Sequence, residues 1–316
     1  NPAAVNQHSI INDFKDYDKF YFLGGSTTWA NIRGVLNNNI DGLKIFEEDS
    51  FDAGTVDVWG ISDKDLFLAA NKEFAKQTKP FIAVIQTAGN HRPYTIPSKD
   101  LPEFKMANFP EDSLRNNSFI SNAELNAFRY ADFSMQKFIE AARKEKYFDN
   151  TVFVFVGDHG LRGDAGSNFP VSFTKQGIGA EHVPLLFYSP KLLQPKTIRN
   201  VCSQLDVLPS AAFVARQNHT NTTMGKNLFD GTDSTERFAF IADPNTFNVG
   251  LVTNEYYWGR NINTKEKYFV SVLNNSPVVQ SPATDSIAAK LERLTNAWYE
   301  TSKYLLLNNK KRVQDK

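Results

Sequence analysis

Residues 150–160 read Asn-Thr-Val-Phe-Val-Phe-Val-Gly-Asp-His-Gly. A run of β-branched and aromatic residues, Thr151–Val156, stops at a glycine and is succeeded by a carboxylate, an imidazole and a second glycine. Unbroken apolar character over so short a length suits a strand covered on both faces. In open α/β sheets, ligands bind beyond the carboxyl ends of the strands, so the chemistry is expected in the residues just after the run. Asp158 and His159 can both reach one divalent metal from there, and Gly157 and Gly160 permit the tight turn. Mixed oxygen and nitrogen ligation suits manganese or zinc, whereas magnesium prefers oxygen alone. The alternative is a turn with a capping Asp and a surface His.

The same signature recurs on either side. Lys19–Leu23 ends at Gly24-Gly25, and Pro80–Gln86 and Pro184–Tyr188 are further strand-length apolar runs. Helical patterns separate them. The clearest covers about Asn122–Lys146, opened by Ser121 and Glu124 as a capping box, with Leu125, Phe128, Met135, Phe138, Ile139 and Ala142 mostly on one face. A second covers Asp63–Gln77 and a third starts near Asp206. This alternation predicts an α/β fold with a mostly parallel central sheet and helices on both faces. After about Asp230 the pattern changes to short strands, at Arg237–Ala242, Val249–Thr253, Tyr256–Gly259 and Lys267–Leu273, then a helix over Asp285–Leu307. A small C-terminal antiparallel sheet plus helix is expected, with a boundary near Gly231 dividing a core, 1–231, from a subdomain, 232–316.

The chain has 316 residues, of which 41% are apolar and 22% charged, enough for a sizeable core without disulfides. Lys+Arg and Asp+Glu number 35 each, so no nucleic-acid partner is expected. The single cysteine, Cys202, excludes a disulfide framework and a cysteine-based zinc site. No run approaches the ~18 apolar residues of a membrane span. The opening residues carry neither Met nor a signal-peptide pattern, so a fragment or processed product is expected.

Other candidates flank the strands. His91 comes after Pro80–Gln86 and is a substrate hydrogen-bond donor, a general acid, a metal ligand or a structural loop residue. His182 precedes a strand, which in a parallel sheet favours the end opposite the site unless the preceding loop crosses the top. It is a metal or substrate ligand only in the latter case. Trp29 and Arg33, four apart, would share a helix face as an aromatic wall and an anion contact, or be a core Trp and a solvated Arg. Arg162 is a phosphate or sulfate clamp or a solvated loop residue.

Taken in order, FLGGSTTW at 22–29, PFIAVIQTAGNHRPY at 80–94, Tyr130-Ala131-Asp132, NTVFVFVGDHG at 150–160, EHVPLLFYSP at 181–190 and SQLDVLPS at 203–210 resemble the alkaline phosphatase/sulfatase superfamily. The lipoteichoic acid synthase-like branch of phosphoglycerol and phosphoethanolamine transferases is the part they look most like. The resemblance covers most of 19–230 and implies an alkaline phosphatase-like fold and metal-dependent transfer or hydrolysis of phosphate or sulfate esters, lipid headgroups included. Asp158-His159 matches the family's metal pair, with manganese favoured and zinc, magnesium or calcium open. His91 matches the substrate-side His, and Trp29 a Trp lining the glycerol-phosphate site. The family's Arg stands closer to that Trp than Arg33 does, and its His before the Trp has no counterpart near Leu23. The family's first metal carboxylate and nucleophile precede the segment resembling Lys19–Leu23, so both are expected upstream of this chain. The C-x-P-x-R sulfatase signature is absent, Cys202 being followed by Ser-Gln-Leu-Asp. The resemblance also implies an extracytoplasmic domain of a membrane-anchored parent. A catalytically inactive anion-binding module keeping the same fold is the alternative.

Overall fold

A computed structural model describes residues 6–161, 163–164, 166, 168–231 and 237–311. The core is built on β1 (Asp18–Leu23), buried in five of its six residues. A short helix, α1 (Ile32–Asn39), leads to β2 (Leu43–Phe46), then α2 (Asp63–Phe74) leads to β3 (Phe81–Gln86). The three strands are parallel in the order β2-β1-β3. α3 (Glu111–Asn116) and the 21-residue α4 (Asn122–Ala142) come next. β1 alternates its large residues between two covered faces. Phe20 and Phe22 point to a core shared with Leu66, Phe67 and Phe74 of α2 and Phe138 and Ala142 of α4. Each such Phe contributes about 1.5–3 kcal/mol by burial. On the other face Ile82 packs with Ile10, Phe14, Leu208 and Ala212, the last two from a helix late in the core. The expected helices on both faces of a parallel sheet are present.

The N-terminus of α4 differs in detail from the expected capping box. Ser121 Oγ accepts from Glu124 N (3.1 Å), but the Glu124 carboxylate turns to Ile120 N (2.8 Å) and to the Tyr94 hydroxyl (2.9 Å). The buried Glu124 thereby ties the helix to the loop after β3.

β4 (Phe153–Val156) runs into the Asp158-His159 turn. α5 (Val171–Lys175) and α6 (Ile178–Glu181) then lead to β5 (Leu185–Tyr188). β5 pairs with β4 in antiparallel register, Phe153 opposite Tyr188 and Val156 opposite Leu185. The parallel placement expected for this run is corrected, and the reason lies in the connection. A parallel return needs a crossover packed on the sheet. Here the connecting helices have five and four residues, and Phe173 and Ile178 pack with Ile241 and Tyr257 of the C-terminal sheet instead. Among the described residues β3 is paired only with β1, and β4 only with β5. Yet Phe81, Ala83, Ile85, Phe153 and Phe155 all pack on the same α2–α4 core. One helix layer thus carries two separate strand groups, with Val84 and Val156 41% and 44% exposed.

α7 (Val207–Val214), which carries Leu208 and Ala212, comes after a 3-10 turn over Gln204–Asp206, whose capping box pairs Ser203 with Asp206. The C-terminal strands β6 (Ala239–Asp243), β7 (Asn248–Val252), β8 (Tyr256–Asn261) and β9 (Lys267–Ser271) form an antiparallel meander. α8 (Pro282–Asn308) begins at the Ser281–Thr284 capping box with proline in its first turn. It packs Leu291 on Leu251 and Trp258. The boundary expected near Gly231 adjoins 232–236, outside the described residues. No described helix is long and apolar enough to cross a membrane.

Candidate functional site

The carboxyl ends of β1, β3 and β4 each release a loop, and aromatic rings connect the three. Trp29, after β1, meets Trp59 edge-on (centroids 5.9 Å apart). Trp59 stacks on His91, after β3 (4.5 Å, 25° between planes). His91 meets the His159 ring, after β4 (5.9 Å). Three of the residues singled out from the sequence therefore lie in one array, joined by Trp59, which was not singled out.

His91 is held from below and from the side. Asp63, the first residue of α2, is buried, and its Oδ1 accepts from Ala88 N (3.2 Å) and Gly89 N (3.1 Å). Burial pushes the Asp63 carboxyl above its ordinary value, against the two backbone donors and the nearby His91, which pull it down. A Cβ on Gly89 would come within 2.6 Å of Asp63 Oδ2, so a glycine is what lets the loop lie on the carboxylate. His91 N closes a turn to Ala88 O (3.1 Å). Tyr94, whose hydroxyl reaches Glu124, anchors the far side of the loop. Burial, followed by that bond to Glu124, raises the Tyr94 pKa.

Asp158 and His159 are far more open, their side chains 80% and 59% exposed. Asp158 Oδ1 accepts from His159 N (2.9 Å), and His159 Nδ1 lies 2.9 Å from Gly160 O. A carbonyl oxygen only accepts, so Nδ1 carries the hydrogen and the neutral ring keeps its lone pair on Nε2. Nε2 lies 4.0 Å from Asp158 Oδ2, wider than the ~3.4 Å that two bonds of about 2.1 Å span at a tetrahedral angle, so the two exposed side chains would draw together to share an ion. The donor set fits two ligands of one divalent ion. Among the described residues no group of three or more His, Cys, Asp or Glu is placed to hold one. Gln204 Nε2 donates to Gly157 O (2.5 Å) and Asp158 O (2.9 Å), fixing the backbone of the turn.

The antiparallel pairing of β5 brings its start to the carboxyl end of β4. Gly157 N donates to Pro184 O (3.2 Å) and Gly160 N to Ala180 O (2.6 Å). His182 thus belongs to the site end of the sheet, not to the opposite end that a parallel strand would dictate. Its ring stands edge-on to Phe169 and Phe173.

Trp29 and Arg33 do not share a helix face. Ala30 and Asn31 adopt left-handed backbone (φ 47° and 59°), and α1 begins only at Ile32. Trp29 swings out, 59% exposed. Arg33, itself 47% exposed, lies back along the loop, where its Nε donates to Thr27 Oγ1 (3.1 Å) and its Nη2 pairs with Glu47. Burial pushes the Glu47 carboxyl up, but the bonds from Arg33 and Thr27 outweigh it and hold Glu47 below its ordinary value. Arg162 lies outside the described residues.

Trp59, Asp63 and Gln204 escaped the sequence reading. The first two belong to Trp59-Gly60-Ile61-Ser62-Asp63, a tryptophan and a glycine just before a serine N-cap. That signal marks a tight helix entry but not what it faces.

The lipoteichoic acid synthase-like protein YvgJ of Bacillus subtilis is 25% identical over 270 residues, which is 80% of this chain and 41% of that protein. A lipoteichoic acid synthase of Staphylococcus aureus is 29% identical over 154 residues, 48% of this chain and 22% of that protein. The chain thus spans less than half the length of these relatives. Among solved structures, the lipoteichoic acid synthase LtaP of Listeria monocytogenes superposes with a TM-score of 0.76 at 17% identity, over 98% of this chain and 76% of that one. An alkaline phosphatase superfamily protein of Vibrio parahaemolyticus gives 0.68 at 22% identity, over 95% and 70%. At such identities these two likenesses establish the shared fold alone. The sulfatase family profile matches residues 4–216, more than half of the chain, and on that match the chain belongs to the sulfatase family.

Proposed function

We propose that this chain forms the larger part of a metal-dependent phosphate or sulfate ester transferase or hydrolase domain. The observation that carries the reading is the convergence of His91 with Asp158-His159 at the carboxyl ends of β3 and β4. In this reading Asp158 and His159 Nε2 hold one divalent cation, manganese first among the candidates. A bound ion supplies neutralising charge to the transferred group and lowers the pKa of the attacking group. His91, braced on the opposite side, directs a ring nitrogen to a non-bridging oxygen of the ester. Trp29 offers its exposed face to the organic part of the substrate. His182 takes an outer position, while Arg33, engaged by Glu47, shapes the Trp29 loop rather than touching the ester.

A two-ligand set leaves the ion incompletely held. The family resemblance assigns the first metal carboxylate and the nucleophile to a segment upstream of β1. The separate β3 and β4 groups on one helix layer support a further strand alongside them. A membrane-anchored parent with this domain outside the cytoplasm accords with the same resemblance, as does a lipid-headgroup ester as substrate. The second reading, a catalytically inactive anion-binding module, is favoured by the absence of a three-ligand group among the described residues.

Titration of the chain with Mn2+ tests the centre. One-site binding is expected, weakened at least tenfold by Asp158→Asn and by His159→Ala. Equal binding by all three proteins rejects the metal assignment. In a longer polypeptide that includes the upstream segment, Asp158→Asn is expected to abolish Mn2+-dependent ester cleavage. Cleavage absent even from the parent favours the anion-binding module.

A further inference from the structure

We infer that Trp59 is a positioning residue for the ester site, acting through His91; this rests on the proposed role of His91 as the ester-side donor. An imidazole on a loop rotates about two side-chain bonds, and its usefulness as a donor depends on holding one orientation. Trp59 limits that freedom in two ways at once. Its indole face covers the His91 ring at 4.5 Å, near the separation of an offset stack. Its Nε1 donates to Arg92 O (2.7 Å), binding the backbone immediately after His91. One side chain thus fixes both the ring and the peptide that carries it.

Trp59 can do this because its own position is over-determined. The turn Val56–Gly60 closes with Val56 N on Gly60 O (2.8 Å) and Gly60 N on Asp57 O (3.0 Å), while Asp57 Oδ1 accepts from Trp59 N (2.9 Å). The turn lies directly against the end of β1, where Ile61 N donates to Gly24 O (3.1 Å) and a Cβ on Gly25 would approach Trp59 O to 2.6 Å. The glycine pair that ends β1 therefore makes room for the backbone that carries Trp59. On its remaining edge Trp59 meets Trp29, so the ring sits between the exposed aromatic wall and the donor.

The test is a double-mutant cycle read by calorimetric titration of the full chain with glycerol 1-phosphate in the presence of Mn2+. His91→Ala is expected to weaken binding about tenfold or more. Trp59→Leu, which removes both the stack and the indole donor, is expected to weaken it about three- to tenfold. Trp59→Phe keeps a stacking face and is expected to recover most of that loss. If Trp59 works through His91, the double variant Trp59→Leu/His91→Ala binds no worse than His91→Ala alone. Additive losses overturn the inference, because Trp59 then acts on the ligand or the fold independently. Wild-type affinity in Trp59→Leu overturns it as well. An unchanged affinity in His91→Ala, or no binding by the unmodified chain, strikes instead at the ester-site reading beneath it and takes the inference with it. Far-UV circular dichroism of each variant separates a misfolded protein from a misplaced imidazole, and Trp59→Phe supplies the test should Trp59→Leu fail to fold.

Discussion

Two loops meet at the candidate site, and they are built on opposite principles. The loop carrying His91 rests on a buried carboxylate, a stacked indole and a tyrosine bonded to a buried glutamate. The loop carrying Asp158 and His159 is tied through its backbone, by Gln204 and by the start of β5, and leaves both functional side chains in solvent. The first is preorganised by the protein alone. The second presents two exposed side chains whose final positions, on the proposed reading, a bound ion would set. The contrast predicts that substitutions at the backbone supports beneath the first loop cost stability, whereas those in the second leave stability intact and cost affinity.

Glycine substitutions give the largest expected difference. Gly60 has φ +98°, and a Cβ there would run into the Gly24 carbonyl. Left-handed strain and a backbone clash together make Gly60→Ala destabilising by about 3 kcal/mol or more. Gly163, beyond Asp158 and His159, has nothing within 4 Å of a built Cβ, so Gly163→Ala should stay within about 0.5 kcal/mol of the parent. Urea midpoints of the two variants measure this directly. Comparable losses would remove the distinction between the loops.

Carboxylate removal comes next. Asp63→Ala strips two part-buried N–H groups of their acceptor; a fully buried donor left unpaired costs about 1–3 kcal/mol, so a net loss of about 1–2 kcal/mol is expected. Asp158→Ala removes a side chain that is 80% exposed and should change stability by less than about 0.5 kcal/mol while losing metal binding. Gln204→Ala should resemble Asp158→Ala in stability yet weaken Mn2+ binding about tenfold, since it frees the backbone that aims the ligands. Unaltered Mn2+ affinity in Gln204→Ala would show that the turn holds its shape without that side chain.

How much of this the sequence disclosed depends on the range of the forces involved. Strands β1, β3 and β4 and helices α2, α4 and α8 were legible because burial on one stripe or two faces imprints a local period, and each differs from its expected span by only a few residues. The place of Asp158 and His159, just past the end of a strand, was legible for the same reason. β2 was missed because Leu-Lys-Ile-Phe at 43–46 is only four residues long and carries a lysine. The direction of β5 could not be read locally, since it depends on α5 and α6 packing against a sheet formed some sixty residues later. The joint face assigned to Trp29 and Arg33 failed because two left-handed residues, Ala30 and Asn31, interrupt what spacing alone reads as a helix. In the sequence Asp63 is only the first residue of a helix, a place where the dipole favours an acid in any case. Only the fold shows that it faces the backbone of Ala88 and Gly89.

The most delicate difference between the loops is one of pH. Burial raises the Asp63 carboxyl above its ordinary value, so the folded protein holds that proton more tightly than the unfolded chain does. A raised acid contributes stability that is fully present below the ordinary carboxylate value and is lost as pH climbs through the folded one. Asp63→Asn has no such proton to lose and keeps a carbonyl able to accept from the loop. The stability of the unmodified protein relative to Asp63→Asn should therefore be greatest near pH 4 and decline toward neutrality. Urea midpoints of both proteins across that interval measure the slope. A relative stability that rises with pH would mean that the two N–H donors, aided by His91, outweigh desolvation. The loop would then be braced by a charge the fold prefers to keep, and the contrast with the solvent-exposed Asp158 and His159 would be one of position rather than of electrostatic cost.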